Sequence, residues 1–182
     1  MNFNTQPTLE NENIILKPLQ ANDFERLYET ASDPKVWEQH PNKNRYQREV
    51  FATYFEGAIQ SKGAFLMLDK ASNEVIGSSR FYDYDEEQNS ILIGYTFIGT
   101  KYWGKKINAQ IKKMMIDYAF QFVDKIYFHI GANNIRSQIA IGNIGATKTR
   151  AFEIAYFGEP ELLNFEYVLE KIISQKPSYN PL

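Results

Sequence analysis

Residues 101–106 combine residue types that bind anions at the start of a helix. The segment directly follows a predicted strand, and a helix that begins there exposes unpaired backbone N–H groups at the positive end of its dipole. Gly104 lets the backbone approach a ligand closely. Lys105 and Lys106 place cations in a first helical turn, which is unfavourable unless an anion binds there. The segment therefore indicates either a phosphate site or an ordinary strand-to-helix turn.

Cysteine and histidine, which many catalytic and metal sites require, are rare in this sequence. There is no cysteine, which excludes disulfides, thiolate zinc sites and a cysteine nucleophile. His40 and His129 are the two histidines, so we expect no metal site. His129 alternates with apolar residues in a predicted strand, and we expect it to be a hydrogen-bonded sheet residue rather than a catalyst.

Composition and charge limit the class of protein. A chain of 182 residues fits one domain with a sizeable core. The net charge of −2 argues against stable nucleic-acid binding, which needs clustered Lys and Arg. No apolar stretch approaches the roughly 20 residues that span a bilayer, and the polar residues 1–6 do not resemble a signal peptide. We therefore expect a cytoplasmic protein without a membrane segment.

Hydrophobic periodicity predicts a mixed α/β (α+β) fold with a mostly antiparallel central sheet of about seven strands. The order is β-α-α-β-β-β-α-β-α-β-β, in one domain over residues 1–182 with a core at about 10–173 and a loose tail at 174–182. In the third helix, Lys105, Lys112 and Lys113 are expected off the apolar stripe. Strands are predicted at 12–19, 64–68, 75–82, 90–98, 125–130, 148–157 and 164–173, and helices at 24–31, 48–61, 106–123 and 135–144.

Several segments, in this order along the chain, resemble the GNAT superfamily of N-acetyltransferases. The resemblance is strongest to the branch that contains the ribosomal-protein N-terminal (alanine/serine) acetyltransferases, and it covers about residues 10 to 172. The segments similar to its early helix, its pyrophosphate-binding core and its second signature are 33–37, 93–97, 101–104, 117–120 and 134–146.

This resemblance implies acetyl-coenzyme A as the acyl donor, without a metal. Strands 90–98 and 125–130 would splay apart to hold the pantetheine arm, and one backbone N–H would polarise the thioester carbonyl. Asn134 would touch the arm, and Ser137 would donate a proton to the leaving thiolate or only support the helix cap. The implied cofactor-binding residues are Tyr95, Thr96, Phe97, Tyr102, Trp103, Gly104, Lys105, Lys106, Ile107, Asn134 and Ser137.

On the acceptor side, the resemblance implies a cleft that receives a primary amine, from a protein N-terminus or a small molecule. Glu38 or His40 would act as a base, directly or through water, and Trp37, Tyr82 and Tyr84 would contact the acceptor. The alternatives are that Trp37 is a packing residue and that Glu38 and His40 are solvated. The acidic residues 83–87 would attract a cationic amine or form a solvated turn.

The phosphate loop departs from the superfamily pattern. Lys101 keeps only the charge of the pattern's first residue, which is Gln or Arg, and Lys106 stands where the pattern has Gly or Ala. Either the Lys106 side chain does not fit there, or it points outward and adds a charge for the phosphates. The departure supports an alternative function, a non-catalytic acyl-CoA-binding or protein-interaction module with a degenerate loop. We expect a monomer or a homodimer, and the sequence leaves the acceptor amine unidentified.

Overall fold

One eight-stranded sheet with helices on both faces organises the computed structural model, which describes residues 3–155, 158 and 160–171. The strands are β1 (Leu9–Glu10), β2 (Ile14–Pro18), β3 (Ala64–Asp69), β4 (Val75–Asp85), β5 (Ser90–Ile98), β6 (Lys125–Gly131), β7 (Thr147–Ala155) and β8 (Glu161–Glu170). The helices are α1 (Phe24–Ala31), α2 (Arg48–Gln60), α3 (Ile107–Ala119) and α4 (Ile135–Gly142).

The strand order is β1-β2-β3-β4-β5-β6-β8-β7, and every pair is antiparallel except β5 with β6. The predicted mixed, mostly antiparallel sheet is confirmed. The eighth strand is β1, whose two residues pair with Leu16 and Ile15. A strand of two residues shows no alternation in the sequence, which explains the expected count of about seven.

Two hydrophobic cores cover the two faces of the sheet. Phe65 and Met67 of β3 pack into the first core, together with residues of α3 and α4. Leu66 and Leu68, between and after them, pack into the second core with α1 and α2. Because successive strand side chains point to opposite faces, this continuous apolar run is buried on both sides.

The ends of several elements differ from their predicted positions. The chain after Ala119 continues as a turn, in which Gln121 N–H donates to the Tyr118 carbonyl, so α3 ends before residue 123. Strand β8 begins at Glu161 rather than at residue 164. Residues 156, 157, 172 and 173 of the predicted last strands, and the predicted tail 174–182, lie outside the described residues. Within the described part of the chain, every helix is too short or too polar to cross a bilayer.

Candidate functional site

A cleft opens through the middle of the sheet, where the parallel strands β5 and β6 separate. The two strands are paired only from Ser90 to Leu92, against residues 125–127. Beyond this point β5 stays paired with β4, and β6 stays paired with β8. Side chains from both faces of the sheet line the gap, so the cleft joins the α3 and α4 side of the sheet to the α1 and α2 side.

A β-bulge shapes the wall of the cleft that β5 provides. Ser78 pairs with Phe97 and Arg80 pairs with Gly94, so Tyr95 and Thr96 lie opposite the single residue Ser79. Tyr95 has a φ of +50°, which is unusual for a residue with a side chain. The bulge interrupts the regular ladder where the predicted pantetheine-binding residues Tyr95, Thr96 and Phe97 lie, and all three line the cleft.

A row of free backbone donors lies at one mouth of the cleft. The amides of residues 104 to 109 donate to no acceptor in the described part of the chain, and the start of α3 has no side-chain cap. The predicted cofactor-binding residues of this loop begin earlier, at residue 102. The amides of Tyr102 and Trp103, however, donate to the carbonyls of Gly99 and Thr100 in a short 3-10 turn. Free donors at the positive end of a helix are groups that can bind an anion.

Lys106 is accommodated by a left-handed backbone. It has a φ of +58° immediately before α3, and Gly104 has a φ of +75°. The Lys105 and Lys106 side chains are exposed, and neither is paired with a carboxylate of the described residues. Lys101 instead forms an ion pair with Glu74, 2.6 Å away, and the Tyr102 ring is buried in the first core. Positive charge at the mouth therefore comes from Lys105 and Lys106.

Helix α4 supplies the opposite wall. Asn134 caps it, and its Oδ1 accepts a hydrogen bond from the Ser137 N–H at 3.2 Å. Asn134 and Ser137 both line the cleft. The Arg136 guanidinium lies 4.1 Å from the centre of the Trp103 ring and so connects α4 with the loop after β5. Both predicted α4 residues are thus placed beside the predicted β5 residues.

The structure separates the predicted acceptor residues into two groups. His40 and Tyr82 line the cleft. Glu38 is exposed and is not among the residues that line it. Tyr84 packs against Phe3, 5.2 Å between ring centres. Trp37 is fully buried in the second core, where its Nε1 donates to the Ala31 carbonyl, as the packing alternative expected.

The pKa of His40 is far below its ordinary value. Burial, followed by the positive charges of Arg45 and Arg136, together lower the pKa of His40 to about 3. His40 is therefore neutral at physiological pH and a weak base. This environment argues against a proton-accepting role for His40.

A histidine–glutamate pair lies on the α1 and α2 side of the sheet, with His129 lining the cleft, and sequence reasoning assigned the pair no function. Glu166 of β8 lies opposite His129 of β6, with its Oε2 3.3 Å from the His129 Nε2. Arg150 and Thr149 also donate to Glu166. The His129 Nδ1 is buried and has no partner among the described residues. The pairing of Glu166 with His129 depends on the register of β6 with β8, which is not visible in a sequence. The one sequence signal that could have indicated this pair is the presence of a histidine at position 129.

Burial lowers the pKa of His129, and the hydrogen bond with Glu166 partly offsets this effect. His129 is therefore neutral at physiological pH. With Nε2–H donating to the carboxylate, the Nδ1 lone pair is left to accept a proton.

Two polar residues of α3, Asn108 and Lys112, face the cleft from the α3 side, one helical turn apart. The Asn108 Oδ1 is buried without a partner among the described residues. Lys112 is also buried, although its side chain was expected off the apolar stripe. The position of Lys112 in α3 faces the gap between the strands. This gap has room for a polar side chain, whereas a closed sheet at the same place would require an apolar one.

Comparison with known proteins places the chain among acetyltransferases. The model of the GNAT acetyltransferase domain matches residues 13–147. An uncharacterized N-acetyltransferase, p20, of Bacillus licheniformis is 27% identical over 119 residues, which are 62% of this chain and 66% of that protein. The matched region is thus slightly less than two thirds of the relative's length.

Solved structures share the fold at low identity. A GCN5-related N-acetyltransferase from Brucella melitensis has a TM-score of 0.78 and 17% identity, over 91% of this chain and 79% of that one. A ribosomal-protein alanine acetyltransferase from Vibrio fischeri has a TM-score of 0.67 and 15% identity, over 97% and 100%. The family match covers most of the sequence, and the sheet has the fold of these structures. The chain belongs to the GNAT family of acetyltransferases.

Proposed function

We propose that this protein binds acetyl-CoA in the cleft between β5 and β6 and transfers the acetyl group to a primary amine. The acceptor would be a protein N-terminus or a small amine. The observation that carries the proposal is the separation of the parallel strands beside the free amides of residues 104 to 109. An anion site that opens into a gap between strands suits a ligand with phosphates at one end and a flexible arm.

The residues around the cleft fit such a ligand. The amides of residues 104 to 109, with Lys105 and Lys106, would hold the phosphates. The backbone at residues 95–97 and the Asn134 side chain would hold the pantetheine arm. The buried, unpartnered Asn108 Oδ1 would accept a hydrogen bond from an amide N–H of that arm, since an unsatisfied buried acceptor is costly. Acetyl-CoA supplies an acyl group activated as a thioester.

The amine would enter from the α1 and α2 side, where His129 would act as the general base. A neutral imidazole accepts a proton at Nδ1 from the ammonium form of the acceptor, which frees the amine lone pair to attack the thioester carbonyl. The Glu166 carboxylate stabilises the resulting imidazolium. Asp83 contributes a further negative charge near His129. This proposal replaces Glu38 and His40 as base, because Glu38 lies outside the cleft lining and the pKa of His40 is about 3.

Ser137 would protonate the departing thiolate from the α4 side. Its hydroxyl is on a residue that lines the cleft, in the first turn of α4. Direct attack by the amine requires no covalent enzyme intermediate, in agreement with a sequence that has no cysteine.

The test is the release of free CoA thiol from acetyl-CoA in the presence of an amine panel that contains N-terminal peptides, polyamines and aminoglycosides. Because the protein has no cysteine, a thiol reagent detects CoA without a protein background. We expect amine-dependent thiol release with at least one acceptor class. Saturable binding of acetyl-CoA without turnover on any amine would instead favour the non-catalytic module.

A further inference from the structure

Lys112 is a buried amine without a counter-ion in the described structure. Its side chain is 5% exposed. The Nζ donates to the Thr96 hydroxyl at 2.7 Å and lies 3.5 Å from the Ser79 hydroxyl. No carboxylate of the described residues forms an ion pair with it. Such a lysine is uncommon, because a buried ammonium is normally paired with an acid.

The surroundings favour the neutral amine. Burial lowers the pKa of Lys112 to about 7, so a large fraction is unprotonated near neutral pH. A neutral amine has two N–H groups and one lone pair. The Ser79 and Thr96 hydroxyls are within reach of the N–H groups and also hydrogen-bond each other at 2.8 Å. An amine that donates to both of them keeps its lone pair available as a nucleophile.

The amine lies between the two walls of the cleft. Thr96, which it contacts, belongs to β5, and the centre of the Phe128 ring of β6 is 6.0 Å from the Nζ. Asn108, one turn earlier on α3, carries the unpartnered buried oxygen in the same cleft. Lys112 therefore lies in the gap that the proposed function assigns to the pantetheine arm and its thioester.

We propose that Lys112 is a site of self-acylation by a bound acyl-CoA thioester. The proposal rests on the proposed function in that the thioester must occupy the cleft. The Nζ lone pair attacks the carbonyl carbon, a C–N bond forms, and the C–S bond breaks. CoA leaves as the thiolate, and the proton lost from the nitrogen ends on its sulfur, so that the products are an amide on Lys112 and free CoA.

Acylation would change the cleft lastingly. The amide nitrogen cannot be protonated, and the attached acyl group occupies space between β5 and β6. A modified molecule should therefore bind CoA at least tenfold more weakly than the unmodified protein. Self-acylation would thus act as a slow inactivation that competes with transfer to an external amine.

The experiment is incubation of the purified, deacetylated protein with acetyl-CoA and no amine, followed by intact mass measurement and peptide mapping. We expect one acetyl group per molecule, on Lys112, and suppression of its formation by excess CoA. Lys113 is the matched internal control, since it is exposed on the same helix and ion-paired with Asp117. A Lys112→Met variant should remain unmodified under the same conditions. If that variant fails to fold, the wild-type peptide map alone decides.

Calorimetric titration with CoA on the same sample separates the possible failures. Saturable CoA binding with Lys112 unmodified, or modification of Lys113 to the same extent as Lys112, would overturn the self-acylation proposal and leave the proposed function intact. Absence of CoA binding would overturn both.

Discussion

At the residue scale, the pair of His129 and Glu166 connects the structure to a pH profile. If His129 is the base, kcat/KM should fall as pH decreases through its pKa, which burial places below the ordinary value of about 6.5. Because the Glu166 hydrogen bond raises that pKa, Glu166→Gln should move the acid limb to lower pH and reduce turnover about tenfold. His129→Gln should reduce turnover by about 10² or more and abolish that limb.

The measurement is kcat/KM against pH for the three proteins, with circular dichroism to verify the fold. Glu166 also anchors Arg150 and Thr149, so a merely structural role would lower stability without moving the acid limb. An unchanged limb in His129→Gln would contradict the assignment of the base.

Ser137 gives a second prediction for a single residue. Ser137→Ala should lower kcat about 10- to 100-fold and leave the dissociation constant of acetyl-CoA nearly unchanged, because thiolate protonation matters only in the transition state. The backbone N–H of residue 137 would still donate to Asn134, so the start of α4 should persist. Turnover and calorimetric affinity are the two readouts, and an equal loss in both would make Ser137 a ligand contact.

Residue types alone revealed part of this site. The free backbone amides at the start of α3 were predictable because glycine and lysine directly after a strand carry a local signal. Asn108, Lys112 and Glu166 were not, because their roles depend on the gap between β5 and β6 and on the register of β6 with β8. Both features are formed by residues far apart in the chain, and hydrophobic periodicity does not indicate which distant residues pair.

At the element scale, the loop before α3 holds two residues with positive φ, and only one of them is glycine. Lys106→Gly should stabilise the protein by about 0.5–1 kcal/mol, because a left-handed backbone is costly for residues with a Cβ. Gly104→Ala should destabilise it by about 1–2 kcal/mol for the same reason. Space is not limiting, since a Cβ at 104 would meet no atom within 4 Å. Urea unfolding measures both changes.

Lys105→Gly is the matched control for this prediction. Lys105 lies between the two positions with positive φ, and its own φ is not positive. It should therefore gain no stability from glycine. If Lys106→Gly also failed to stabilise the protein, strain would not be the property that distinguishes position 106, and the left-handed start of α3 would need another explanation.

The elements themselves were largely predictable because most of them carry a helical period or a short apolar run bounded by turn residues. The change from the apolar run of β5 to a helical stripe in α3 marked the crossover to the parallel strand β6. The short β1 was missed because a two-residue strand leaves almost no periodic signal. The end of α3 was missed because Phe122 and Val123 of the following turn still pack in the first core and so extend the apolar pattern.

At the scale of the whole molecule, the sheet works as two halves joined along a short parallel seam. Strands β1 to β5 form one antiparallel half, and β6, β8 and β7 form the other. Because the seam is paired over only three residues of each strand, a cleft crosses the sheet without breaking either half. In the proposed function, the donor would lie beside α3 and α4, and the acceptor beside α1 and α2.

The central claim is that this cleft binds acetyl-CoA, and calorimetric titration of the purified protein with acetyl-CoA tests it most directly. We predict one site per chain with a dissociation constant in the micromolar range, equivalent to about −8 kcal/mol. Affinity should weaken as salt rises, since Lys105, Lys106 and the amides before α3 would hold phosphates. No saturable binding at millimolar acetyl-CoA would contradict the claim and show that the loop carrying Lys106 does not form a functional phosphate site.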